Sequence, residues 1–226
     1  LSVALGMLAK GLVAIVLPGG IALAFLLWRR DWPTVRALLD WRAILLFLAV
    51  TVPWFVLVSR RNPDFLEFFF VREHFQRFAG NAPTRVGHPE GPFYYVPVIL
   101  LGPAPWTLVA ALLAATREGR RAFAAIPGEV RTFCLLWFGI VFLFFSAASS
   151  KLGSYVLPAL PPLALLLGAW LDRAFEEPRL VALVTRTLRA FFSVLGAIFA
   201  VVALLAWPLH ERIADWLRQD VGDVVH

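Results

Sequence analysis

The sequence predicts an all-α fold, a polytopic transmembrane helical bundle, on three observations. It is 60% hydrophobic and only 16% charged, with a mean hydropathy of +0.77, far above soluble globular domains. Six apolar runs reach spanning length, at about 11–28, 43–59, 94–115, 132–148, 152–171 and 190–208. Its 9 Trp and 20 Phe suit the aromatic belts of a membrane protein.

Taken in order, the runs carry their own interruptions. Pro18-Gly19-Gly20 lies in the first, Pro53 in the second, and Pro158, Pro161 and Pro162 in the fifth. In a membrane helix such residues produce kinks supported by neighbouring helices, and a kinked span can open a cavity. Arginine sets the orientation. The short segments 29–42, 116–131 and 172–189 fall on one side and hold Arg29, Arg30, Arg36, Arg42, Arg117, Arg120, Arg121, Arg131, Arg173, Arg179, Arg186 and Arg189, so they read as cytoplasmic. Lys10, the loop 60–93, the turn around Lys151 and the tail from 209 then share the opposite side. This divides the chain into a transmembrane region, 1–208, and a short polar tail, 209–226.

Several classes are excluded or disfavoured. The single Cys134 cannot form an internal disulfide and reads as a small buried residue. The formal charge of +6 sits in short loops between apolar runs, where topology accounts for it better than nucleic acid does. No P-loop, dinucleotide fingerprint, zinc-finger spacing or nucleophile elbow occurs. The chain opens at Leu1 inside apolar sequence, without a methionine or basic leader, and is expected to be a piece of a longer protein.

The 60–93 loop concentrates the polar chemistry. Asn62-Pro63 predicts a helix start and Gly80 its stop, with a turn-rich stretch from Asn81 to Pro92 behind it. At about 100° per residue, an α-helix here puts Glu67 and His74 roughly 20° apart, with Glu73 and Arg77 on the same arc and phenylalanine over the rest. One reading is an interfacial helix whose Glu73 and Arg77 form an ordinary i,i+4 pair worth about 0.3–0.5 kcal/mol. The other is a polar wall facing an anionic ligand, with Arg77 offering bidentate phosphate contact. His74 is also a candidate metal ligand, although one histidine falls short of known ligand sets. Lys10 before the first span, and Lys151 and Tyr155 in Ser150-Lys151-Leu152-Gly153-Ser154-Tyr155, either anchor at the interface or close over the same cavity.

At these residues the sequence resembles a known family. Leu8-Ala9-Lys10-Gly11, Pro53-Trp54-Phe55, Glu73-His74-Phe75-Gln76-Arg77-Phe78, Gly91-Pro92-Phe93-Tyr94-Tyr95 and Ser150-Lys151-Leu152-Gly153-Ser154-Tyr155 resemble, in order over about residues 1–171, the bacterial aminoarabinose transferases. These are GT-C glycosyltransferases related to protein O-mannosyltransferases. The resemblance implies a multi-pass protein of the bacterial inner membrane with a periplasmic site. It implies transfer of a sugar from undecaprenyl phosphate to lipid A or a related glycolipid or protein acceptor, among membrane lipids. By matching motif, Lys10, Glu73, His74, Arg77, Lys151 and Tyr155 are expected around the donor, with a divalent cation held in part by His74 the least supported element. Gly153 replaces the family's usual proline and is expected to loosen the turn that aims Tyr155. The family's catalytic aspartate, its general base, falls upstream of Leu1, so these 226 residues alone are expected to be inactive. A protein O-mannosyltransferase-like enzyme and a transporter or flippase of lipid-linked sugars are the alternatives.

Overall fold

The computed structural model describes residues 1–79, 88–89 and 91–222, the side chains of Arg77, His88, Pro89 and 208–222 excepted. It is helical almost throughout: α1 (Ser2–Lys10), α2 (Val13–Arg29), α3 (Trp32–Ala37), α4 (Trp41–Arg61), a π-helix (Glu67–Gln76), α5 (Arg77–Ala79), α6 (Tyr95–Leu101), α7 (Trp106–Ala115), α8 (Arg117–Ala124), α9 (Gly128–Ala147), a 3-10 helix (Gly153–Ala159), α10 (Leu160–Ala174) and α11 (Pro178–Gly222). Two short strands, β1 (His88–Pro89) and β2 (Ser150–Lys151), pair antiparallel.

All six expected runs are helical, but not all are simple spans. Among the described residues four stretches are long and apolar enough to cross a membrane, namely Trp32–Arg61, Gly128–Ala147, Gly153–Ala174 and Pro178–Trp207. The run at 94–115 is instead a pair of helices, α6 and α7, bent by 88°. Gly102-Pro103-Ala104-Pro105 supplies the cause, since neither proline has an N–H to carry the helical ladder across the bend. Val13–Arg29 is apolar but only 17 residues long. The arginine-bearing segment 172–189 is mostly helix as well, because α10 ends at Ala174 and Pro178 starts α11. Leu180, Val184 and Thr187 bury one stripe of α11 while Arg179, Arg186 and Arg189 stay on its exposed face. Beyond Trp207 the same helix runs on through Gly222, carrying most of the polar tail with it.

α9 is the centre of the bundle, packed against α2, α10 and the 3-10 helix, while α4 rests on α1. Two apolar cores result. One, at the end with the basic segments, joins Val109, Leu113, Ile126, Cys134, Leu166 and Trp170. There Arg29 reaches Glu129 at 3.2 Å, an exposed pair worth little by itself but one that places the ends of α2 and α9 together. Trp170 donates its indole N–H to the Gly119 carbonyl at 2.8 Å, inside the core. Replacing Trp170 by Phe removes that indole hydrogen bond while the Gly119 carbonyl keeps its place in the α8 ladder, and a loss of about 0.5–1.5 kcal/mol is expected, read as a lower denaturation midpoint in detergent. The second core joins Leu17, Ile21, Tyr95, Ile99, Val141, Val156 and Ala159 at the opposite end.

Candidate functional site

The site grows from the break between α1 and α2. Gly11 stands at φ 73, in the left-handed region that favours glycine, and its N–H closes α1 on the Met7 carbonyl at 2.9 Å. The turn leaves the Leu12 N–H without a helical partner. It donates to Nε2 of His74 at 3.1 Å, a contact spanning 62 residues of sequence. The other ring nitrogen, Nδ1, lies 2.5 Å from the Phe69 carbonyl. Only an imidazole with its proton on Nδ1 satisfies both partners, so the network assigns that tautomer.

His74 belongs to the π-helix, and this corrects the expected α-helical arc. In an i→i+5 winding, residues five apart meet. Glu67 accordingly pairs with Arg72 at 3.0 Å on the exposed side, and His74 reaches back to Phe69. Glu67 and His74 therefore do not share a face, whereas Glu73 and His74 both line the cavity. The Arg77 side chain, and with it the expected Glu73–Arg77 pair, lies outside the described residues. An aromatic cluster seats the π-helix on α4: Phe69 meets Phe55 at 5.3 Å, Phe65 at 5.5 Å and the His74 ring at 5.0 Å.

The far wall is the Lys-Leu-Gly-Ser-Tyr turn. The Ser149 N–H donates to the Phe78 carbonyl at 3.0 Å, and His88 and Pro89 pair with Lys151 and Ser150. Both ends of the loop after α4 are thus tied to this turn. Tyr95, fully buried, donates its hydroxyl to the Leu152 carbonyl at 3.0 Å. Gly153 opens the 3-10 helix directly after this anchor, and Tyr155, tilted against Phe145 at 5.8 Å, lines the cavity.

Between these walls lies a cavity of about 1060 Å³. Val13, Leu17, Ile21, Trp137, Val141 and Phe145 make it apolar, and Lys10, Glu73, His74, Ser154 and Tyr155 supply its polar groups. Lys10 is exposed and forms no hydrogen bond or ion pair among the described residues. Lys151 is placed otherwise than expected. It is 3% exposed, donates its ammonium to the Ala148 carbonyl behind α9, and is not among the residues lining the cavity. The metal role of His74 is corrected too. Both ring nitrogens are held by backbone, and no group of three or more His, Cys, Asp or Glu able to hold an ion occurs among the described residues. The described residues do not fit a cation. Sequence reasoning missed Ser154, Tyr95 and the seat that Gly11 makes for His74; the one available signal was the glycine directly after Lys10.

Fold and cavity define a polytopic α-helical membrane protein with a large apolar cavity and charged groups at one end. Comparison with known proteins narrows the class. An undecaprenyl phosphate-α-4-amino-4-deoxy-L-arabinose arabinosyl transferase of Sodalis glossinidius is 35% identical over 233 residues, covering 100% of this chain and 40% of its own length. A protein of the same description from Shewanella sediminis is 34% identical over 174 residues, covering 77% and 30%. The crystal structure of ArnT from Cupriavidus metallidurans bound to undecaprenyl phosphate superposes with a TM-score of 0.67 at 34% identity, over 92% of this chain and 34% of that one. Its apo state gives 0.62. No family profile matches. The chain belongs to the aminoarabinose transferase family, and it spans about a third of the length of the relatives it matches.

Proposed function

We propose that the chain forms the donor-binding part of a glycosyltransferase of the bacterial inner membrane, which moves 4-amino-4-deoxy-L-arabinose from undecaprenyl phosphate to lipid A or a related acceptor on the periplasmic side. One observation carries this reading: a cavity of about 1060 Å³ with apolar walls and a cation, Lys10, at its polar end. An isoprenoid phosphate has the matching shape, an apolar chain ending in an anion. The names of the relatives and the ligand of the Cupriavidus structure point the same way. The periplasmic side is supported by the polar end of the cavity, which gathers around the start of α2 and the end of α9, whereas Arg29 and Glu129 stand at the other ends of these helices.

The reaction breaks the bond between the sugar's anomeric carbon and the carrier phosphate, and forms one from that carbon to an acceptor oxygen. Negative charge grows on the departing phosphate, which leaves as undecaprenyl phosphate. Lys10 is placed to stabilise that charge and the Tyr155 hydroxyl to donate to a phosphate or sugar oxygen. His74 acts at one remove, holding Lys10 and the π-helix in register through the Leu12 N–H. The proton of the acceptor oxygen is assigned to no residue of this chain.

The test is sugar turnover by the full-length gene product in proteoliposomes. Lys10→Ala is expected to lower kcat about 100-fold or more, as loss of a charged donor to a leaving group does, and Tyr155→Phe about tenfold. Turnover untouched by both substitutions would remove this cavity from the chemistry and move a transport role ahead.

A further inference from the structure

We infer that Tyr95 is a positioning residue for the transfer, holding Tyr155 to the cavity wall through one carbonyl that both residues share; this rests on the donor-binding reading above. The stretch Gly91-Pro92-Phe93-Tyr94-Tyr95 puts no residue on that wall itself. Its Tyr94 N–H closes a turn on the Gly91 carbonyl at 3.1 Å and leads into α6, where Tyr95 and Ile99, one helical turn apart, enter the second core on the same face. Tyr95 is fully buried there, and a phenol buried that deeply needs a partner for its hydroxyl.

That partner is the Leu152 carbonyl, 57 residues away in sequence and 3.0 Å away in space. The same oxygen accepts the Tyr155 N–H, also at 3.0 Å. A carbonyl oxygen has two lone pairs, so one atom joins the Tyr95 hydroxyl to the Tyr155 backbone. The second bond matters because the first is weak alone. Leu152 to Tyr155 is an i→i+3 bond of the 3-10 type, poorer in geometry than an α-helical one, and the loop it closes contains Gly153, the residue type that restrains its backbone least. The Tyr95 hydroxyl, held by the core, fixes the direction of the Leu152 carbonyl and with it the point from which Tyr155 starts. From there the Tyr155 ring rests against Phe145 and lines the cavity beside Ser154. Tyr94 supplies the contrast. Its ring meets that of Tyr95 at 5.0 Å, yet its hydroxyl makes no hydrogen bond among the described residues.

The experiment is a double-mutant cycle of Tyr95→Phe and Tyr155→Phe, read as sugar turnover by the full-length gene product in proteoliposomes. Tyr95→Phe keeps the ring, and the Leu152 carbonyl keeps the Tyr155 N–H, so the protein should fold with a denaturation midpoint in detergent only slightly below wild type. It is expected to lower kcat about fivefold, the size of one neutral hydrogen bond, and to lower it no further in the Tyr155→Phe background. Tyr94→Phe removes the neighbouring hydroxyl and should leave turnover unchanged. Wild-type turnover in Tyr95→Phe, a loss that multiplies with that of Tyr155→Phe, an equal loss in Tyr94→Phe, or a Tyr95→Phe protein that does not fold would each overturn the assignment. Two results would strike elsewhere first. Turnover untouched by Tyr155→Phe removes the role given to Tyr155, and absence of transfer by wild type removes the proposed function itself; this inference falls with either.

Discussion

Gly11→Ala is expected to lower turnover of the full-length protein more than 100-fold and to destabilise it by roughly 3 kcal/mol or more. A Cβ at this position would stand 2.3 Å from Nε2 and 2.6 Å from Cε1 of His74, and 3.1 Å from Cζ of Phe69. These neighbours cannot yield cheaply. The imidazole is held by two hydrogen bonds, and Phe69 is packed into the aromatic cluster against α4. A positive φ adds about 1–2 kcal/mol for any L side chain, and each hydrogen bond lost with a displaced imidazole adds about 0.5–1.5 kcal/mol. Expulsion of His74 would also release Glu73 and unfix Lys10. The decisive control is a double-mutant cycle with His74→Ala. Removing the ring removes most of the clash, so Gly11→Ala should cost distinctly less in the His74→Ala background. Equal costs in both backgrounds, or a Gly11→Ala protein with wild-type melting and turnover, would show that the clamp is not what holds the site.

How much of this was legible in the sequence differs by feature, for physical reasons. The spans were legible because a bilayer demands long apolar runs whatever they pack against. The bend between α6 and α7 is written in Pro103 and Pro105, inside a stretch whose length and average hydropathy read as one span. The common end of the basic segments is expected from alternation of spans, and the Arg29–Glu129 pair joins two of the three. The site was read less well. Any angular argument assumes a period, and the segment from Glu67 to Gln76 winds with the π period, so Glu67 was given a place on the cavity face that it does not occupy. His74 was read as a ligand-facing group because its partners are backbone atoms of Leu12 and Phe69, which carry no side-chain signature. Of the residues that the resemblance singles out, Lys10, Glu73, His74 and Tyr155 line one cavity. The resemblance could not distinguish residues that face the cavity from residues that hold its walls.

Lys151 is where that distinction is sharpest, and Lys151→Met is expected to act on folding. The ammonium is buried and donates to the carbonyl of Ala148, the residue that follows the last turn of α9. Helix C-termini gather partial negative charge on unpaired carbonyls, so a cation there is favourable beyond the single hydrogen bond. Methionine keeps the apolar stem but leaves the carbonyl unsatisfied. Loss of a charged donor in a buried place costs about 1.5–3 kcal/mol, and the turn that aims Tyr155 loosens with it. The detergent denaturation midpoint should therefore fall in Lys151→Met whether or not undecaprenyl phosphate is present. Turnover per folded molecule should fall less than in Lys10→Ala. A group that binds the phosphate directly would give the reverse pattern, an unchanged midpoint without ligand and a lost ligand-induced rise. That outcome would return Lys151 to the cavity and require the turn to rearrange when the donor binds.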